Sequence, residues 1–566
     1  MMVVLSLARC GKDTETFIPN PIPSEFTASV FVEVFDVNGL PLEGVQIDLG
    51  EAFGTTNEDG LVYLKNVSMS GSTYVTAEKS GFFHGSRRFY PSPDKTHFIK
   101  IMMLSDNVVG TVESGAGGTI NLANGNTLVF PANAIVDQSG NSYNGTVSVS
   151  AQPINANDPN LSIKMPGDLV GETISGEKGS LGSLGMMAVE LKSGNGDLLQ
   201  VKSGSAVEMR MDVPDQMVDN APSTIPMWYF NEETGFWKEE GEATLEGNTY
   251  VAQVGHFSYW NYDAWFPAVK WGATFLYDDG SPASQVQVCI TIINLETTKC
   301  AYTNEDGAVC GLVAANELLL MEVISPCGDI ILSQQIGPFS DSTMTGPYTI
   351  PSTTVILTQV SGNAINCNGD PVIDGFARIR VNGSNYYTVL DSVTGAFDLT
   401  VQNCDETDVV ITVVDRAAVK QSLPQTYNYA PVIDAGTITV CETLQEFIDI
   451  EVTGFTDHFV FLFPYEWEQE GNVYINAADS SITSQRFIFF RFEGLTPGTY
   501  IPQGYEIGLD LPTLEFATGT SLTINVTYFG DHGDYIQGNL SGTVNTGPNN
   551  GNDEYPFTGT FSVLRN

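Results

Sequence analysis

The sequence predicts an all-β chain of tandem β-sandwiches, five units in succession. Three observations predict it. Apolar residues recur at every second position, as in Val30, Val32 and Val34, in Val147 and Val149, in Val288, Ile290 and Ile292, and in Leu522, Ile524 and Val526; this period places each set on one face of a strand. Glycine accounts for 56 of 566 residues, and Thr, Ser, Asn, Val, Ile and Phe recur in every segment, a composition of strands and turns. No stretch holds an apolar helical period over several turns, so long helices are not expected. A chain of 566 residues is too long for one core, and a hydrophobic fraction of 42% suffices for several.

Charge narrows the partners. Asp and Glu total 67 against 23 Lys and Arg, a formal charge of -44. Such a surface repels nucleic-acid phosphates and anionic headgroups, so nucleic acid is not expected as a partner. The acidic residues are spread through the turns of every unit, which reads as solvation of a long external rod. With 5 His and 8 Cys and no C-x-x-C spacing, neither a metal nor a cofactor is expected.

The order of elements begins with Met1 to Arg9, a short apolar run read as a leader remnant. The run Leu7-Ala8-Arg9-Cys10 resembles a bacterial lipobox, which implies lipidation at Cys10 and a membrane contact through that lipid. Residues 10–25, with Lys12, Asp13 and Glu15 followed by Pro19, Pro21 and Pro23, read as an extended tether. Lysine followed by acidic residues at this place resembles the export tag of Bacteroidota-type surface lipoproteins and implies an outer-membrane, cell-surface location.

One pattern then recurs three times: Gly39-Leu40-Pro41 with Thr56-Asn57-Glu58-Asp59-Gly60, Gly280-Ser281-Pro282 with Thr303-Asn304-Glu305-Asp306-Gly307, and Gly369-Asp370-Pro371 with Thr394-Gly395. Glycine permits a positive φ, proline sets entry to the next strand, and Asn-Glu-Asp-Gly is expected to close a tight hairpin. The pattern resembles the carboxypeptidase regulatory-like family, seven-stranded sandwiches without peptidase activity of their own, over 26–104, 267–358 and 359–441, and the resemblance implies tandem immunoglobulin-like β-sandwiches. The acidic turns lack the alternating carboxylates of a calcium loop. The last segment, 442–566, resembles a β-sandwich common at the end of Bacteroidota lipoproteins; Asp531, His532 and Asp534 in it are read as a turn rather than a metal site.

Between the first two repeats, 105–266 runs from Gly117-Gly118 through Leu128-Val129-Phe130-Pro131 to a Trp-rich stretch, Met227-Trp228-Tyr229-Phe230 and Phe236-Trp237, and closes on His256-Phe257-Ser258. This is similar to the ZU-type sandwich. In some relatives a His-Phe-Ser sequence is cut by the protein itself between Phe and Ser. The resemblance implies that Ser258 Oγ attacks the Phe257 carbonyl in an N-to-O acyl shift. His256 would accept the hydroxyl proton or protonate the departing amine, and water would hydrolyse the ester. The alternative reading of the tripeptide is a final strand, with Phe257 in the core and Ser258 bonded to a neighbour.

Cys300 and Cys310 stand symmetrically about Glu305 and are expected to form a cross-hairpin disulfide. Cys289 and Cys327 are then the second candidate pair, and one of Cys367, Cys404 and Cys441 is left over. Trp260, Tyr262 and Trp265 cluster at the end of the block, either as exposed contact residues or as packing between units.

The resulting expectation is a non-enzymatic, surface-exposed lipoprotein acting as an adhesion, binding or assembly scaffold, with a surface protein or glycan as partner. Self-cleavage between Phe257 and Ser258, with the fragments staying associated, is the second reading. An array of carbohydrate-binding modules is the third.

Overall fold

The computed structural model describes residues 25–57, 59–351, 355–418, 420–443, 447–453, 458–462, 465–469, 471–481, 484–510, 516–529, 535–545 and 553–565. Cys10, the segment before it, and the turn carrying Asp531, His532 and Asp534 lie outside these residues. The described chain is a succession of β-sheets. Every alternating set singled out in the sequence is buried: Val30, Val32 and Val34 at 0% exposure, Val147 and Val149 likewise, and the sets at Val288 and Leu522 nearly so.

The three repeats share one topology. In the first, strand 1 (Phe26–Phe35) lies between strands 4 (Leu61–Met69) and 7 (Thr96–Met102), facing a 4-stranded sheet in the order 3-2-5-6, Ala52–Thr55, Gln46–Leu49, Thr73–Glu78 and Gly85–Phe89. Strands 1 and 4 are antiparallel, whereas strands 1 and 7 are parallel, Val30 lying opposite His97. The same two orders recur in the second repeat, with strand 1 in the long strand Tyr259–Tyr277. They recur again in the third, with strand 1 at Ile356–Asn366, where small extra pairings widen the second sheet.

In the first two repeats the turn is built from identical bonds. Thr56 Oγ1 donates to Leu42 O (2.6 Å) and accepts from Val45 N (2.9 Å), while Asn57 Oδ1 accepts from Asp59 N and Leu61 N. Thr303 does the same with Ala283 O and Val286 N, and Asn304 with Asp306 N and Ala308 N. These side chains satisfy backbone groups that no sheet ladder reaches. Gly60 and Gly307 have φ of +69° and +73°, and a Cβ there would lie 2.4 Å from Val34 O and 2.2 Å from Phe275 O. Only glycine fits.

This turn is not a hairpin, which corrects the expectation above. It leads from strand 3, at the edge of one sheet, to strand 4, at the edge of the other, so it crosses between the two layers. The disulfides follow from that crossing. Cys300, on Thr297–Tyr302, and Cys310, on Ala308–Ala314, lie in different sheets and do not pair. Cys300 instead bonds Cys289, its register partner across strands 2 and 3, with Cα atoms 4.0 Å apart. The expected Cys289–Cys327 pair is also absent: Cys327 bonds Cys404 and thereby ties the second repeat to the third. Cys367 bonds Cys441, at the parallel ends of strands 1 and 7 of the third repeat, so none of these three is left over.

The units pack side to side, which the reading as a long rod did not anticipate. In strand 1 of the first repeat, Val30, Val32 and Val34 face their own core, whereas Phe31 and Glu33 point outward onto the third repeat. Phe31 stacks on Tyr63 (ring centroids 4.2 Å) and Tyr387 (4.9 Å) and meets Phe376 edge-on. Tyr387 Oη donates to Glu33 Oε1 at 3.0 Å, and the ion pairs Lys65–Asp374 and Arg378–Asp59 border the contact. The strand Tyr259–Tyr277 pairs with Lys178–Lys192 in its first half and with Ala308–Ala314 in its second, so one hydrogen-bonded strand joins the 105–266 block to the second repeat. The C-terminal segment forms a 10-stranded sheet around a core that includes Ile450, Phe461, Phe490, Ile524 and Phe561.

Candidate functional site

His256, Phe257 and Ser258 occupy the short connection between the strands Thr249–Val254 and Tyr259–Tyr277. Phe257 is buried, 5.9 Å from the Phe130 ring, and anchors the connection in the core. The His256 imidazole lies edge-on to Tyr229 at 4.7 Å, with Nε2 3.5 Å from Glu240 Oε2. Its carbonyl accepts from Trp260 Nε1 at 3.0 Å. Ser258 Oγ donates to Tyr259 O at 3.0 Å, and Ser258 O accepts from Val189 N. The three residues are thus brought together by sequence, while their polar atoms are directed to other partners.

Trp260 and Tyr262 are each 1% exposed and belong to the core of the block, and Trp265 is partly buried against its second cluster. They are core residues rather than exposed contacts. Beside them Ser183 Oγ donates to Asn261 Oδ1 and Asn261 Nδ2 to Asp263 Oδ2; full burial pushes the Asp263 carboxyl well above the usual range.

A second locus went unnoticed in the sequence. Strand 6 of the first repeat, Gly85–Phe89, strand 3 of the second, Thr297–Tyr302, and the loop around Asp168 in the block converge on a cavity of about 90 Å³. Backbone bonds fix the convergence: Arg88 N donates to Gly167 O, Gly167 N to Ser86 Oγ, and Cys300 N to Ser162 Oγ. Alternation along strand 6 sends adjacent arginines to opposite sides. Arg88 donates to Ser72 Oγ, Thr234 O and Gly235 O and lies over Phe236 at 3.8 Å, which binds the first repeat to the block. Arg87 is 7% exposed and lines the cavity together with Lys299 and Asp168. Burial pushes both Arg87 and Lys299 below their usual ranges, with Asp168 acting in the opposite sense.

A larger chamber of about 360 Å³ adjoins it, sharing Phe98, Ile99, Lys100 and Tyr302 as a wall. Glu33, 4% exposed, faces it and is held by Tyr387 Oη and by Lys100 Nζ at 3.3 Å. The sequence signal for this region was Arg87-Arg88, adjacent basic residues in a chain with only 23 Lys and Arg. Among the described residues no group of three or more His, Cys, Asp or Glu is placed to hold a metal ion.

No protein-family model matches the chain. It is 27% identical over 225 residues to human cartilage intermediate layer protein 2, a match covering 38% of this chain and 19% of that protein. Among solved structures, it is similar to the shaft pilin spaA from Lactobacillus rhamnosus GG, at 8% identity and a TM-score of 0.18, over 31% of this chain and 98% of that one. It is also similar to the major pilin subunit BcpA of Bacillus cereus, at 10% identity and a TM-score of 0.12, over 74% of this chain and 100% of that one. Likeness this slight transfers no activity; the tandem β-sandwich architecture stands on the chain's own sheets and registers.

Proposed function

We propose that the chain is a non-enzymatic surface lipoprotein, held to the outer membrane by a lipid on Cys10, that presents docked β-sandwiches as an adhesion, binding or assembly scaffold. The observation that carries this reading is the set of disulfides Cys289–Cys300, Cys327–Cys404 and Cys367–Cys441. Bonds of this kind persist in oxidising, extracytoplasmic compartments. One of them locks two repeats together, which suits a scaffold that must hold its shape outside the cell. The partial likeness to a protein named for a layer of cartilage fits an extracytoplasmic setting. A surface protein or glycan is the partner class; the charge of -44 argues against nucleic acid.

Whole cells treated with a membrane-impermeant amine reagent test the reading. The protein is expected to label without lysis and to lose its membrane fraction in Cys10→Ala. Labelling only after lysis would sink surface display.

The geometry of the His256-Phe257-Ser258 connection lends self-cleavage no specific support, because Ser258 Oγ is bonded to Tyr259 O. A carbohydrate array built on exposed tryptophan is likewise not favoured: Trp228, Trp237, Trp260 and Trp271 are at most 3% exposed.

A further inference from the structure

The cavity at Arg87 holds more positive charge than its walls neutralise, and we infer that it is a binding site for a small oxyanion: a carboxylate, sulfate or phosphate group. The basic residues around it divide into two kinds. Arg88 is spent on carbonyls and a hydroxyl of the interface, and Lys100 is paired with Glu33 at 3.3 Å. Among the described residues, Asp168 is the one carboxylate that acts on both Arg87 and Lys299. Lys299 Nζ is 3.8 Å from Asp168 Oδ2, beyond hydrogen-bond length, and Asp168 Oδ1 already accepts from Leu169 N at 2.8 Å. Among the described residues, Arg87 Nη1 and Lys299 Nζ find no hydrogen-bond partner, and both atoms are buried.

Two cations and one carboxylate leave an excess positive charge in a buried place, an arrangement that costs stability unless something neutralises it. The chemistry of the two donors names the complement. A guanidinium and an ammonium converging on one small cavity match an acceptor with several oxygens and negative charge. The cavity of about 90 Å³ accommodates a small group rather than a large ligand. The location adds a consequence: the site exists only where the first repeat, the block and the second repeat are docked, so an anion there would bind their closed arrangement and stabilise it.

Calorimetric titration of the full chain with sodium acetate, sulfate and phosphate, each against sodium chloride of equal ionic strength, tests the inference. At least one oxyanion is expected to bind saturably and to raise the unfolding midpoint. Acetate alone would assign a carboxylate and sulfate or phosphate alone a tetrahedral anion. Lys299→Met and Arg87→Met are each expected to weaken binding roughly tenfold or more, whereas Arg210→Met, whose guanidinium pairs with Glu208 and Glu246 within the block and away from the cavity, leaves it unchanged. Absence of saturable binding to the wild-type chain overturns the inference, as does binding that survives in Lys299→Met and Arg87→Met. The wild-type titration decides the matter should either variant fail to fold.

Discussion

The first and second repeats agree in strand order and in the bonds of one turn, yet they secure the same sandwich differently. Where the second repeat places Cys289 opposite Cys300, the first places Asp48 opposite Phe53. Where strand 7 of the first repeat carries His97, buried among neighbours, strand 7 of the second, Thr343–Ile350, carries no histidine. What the two keep in common is the glycine of the crossing turn and its Thr-Asn pair. The backbone of the crossing is therefore the invariant of the fold, and the means of holding the strands is interchangeable.

The largest expected effect tests that invariant. Gly60→Ala and Gly307→Ala should each cost at least ~3 kcal/mol, since a positive φ and a close carbonyl act together. Gly39→Ala and Gly280→Ala, also at positive φ but with no atom within 4 Å of the new Cβ, should cost about 1 kcal/mol. Urea midpoints of the four variants give the comparison. Equal losses at all four positions would mean that the carbonyl contact is unimportant and only φ matters.

The fold was legible in the sequence where a local rule decides it. Alternation at Val30 or Ile524 declares a strand and its buried face whatever lies beyond, and Gly-x-Pro followed by a later glycine marked three sandwiches. What was hidden is non-local. Asn-Glu-Asp-Gly suits a hairpin and a layer crossing equally in its local bonds, and only the partners of strands 3 and 4 distinguish them; the wrong choice carried Cys300–Cys310 with it. Phe31 and Glu33 lie on the face of strand 1 opposite the valines, yet they are buried because another repeat covers them. The Arg87 cavity was invisible for the same reason, being assembled from strand 6, strand 3 of another repeat and a loop of the block. His256-Phe257-Ser258 was visible as a motif, but the direction of the Ser258 hydroxyl was not.

The histidine sharpens the comparison next. Burial lowers the His97 pKa from 6.5 to about 4, and Ser92 N donates to Nε2, a bond open only to the neutral ring. The unfolded chain then binds a proton that the folded chain refuses, so stability present above pH 6.5 is lost as the pH falls towards 4. The loss amounts to about 3 kcal/mol. Hydrogen exchange corrected for intrinsic rates should show Thr96–Met102 losing protection over this window while Thr343–Ile350 holds, and His97→Gln should remove the difference. Parallel loss in both strands would show that the acid response belongs to the whole assembly.

The smallest expected effect exchanges the fastenings themselves. A disulfide closing a loop with a sequence separation of 11 constrains the unfolded chain by about 2–3 kcal/mol. Replacing both Cys289 and Cys300 by Ala should lower stability by that amount and leave strands 2 and 3 paired, because Gln287–Ile292 and Thr297–Tyr302 run in register along their whole length. The reverse exchange, Asp48→Cys with Phe53→Cys, should let the first repeat close the same bridge, since those residues face each other in register across the same two strands. Unfolding with and without reductant reads both. A bridge that forms at 48 and 53 and adds stability would show the two repeats to be one scaffold with transferable cross-links; thiols that remain free there would show that the short hairpin Gln46–Thr55 holds its strands in a geometry of its own.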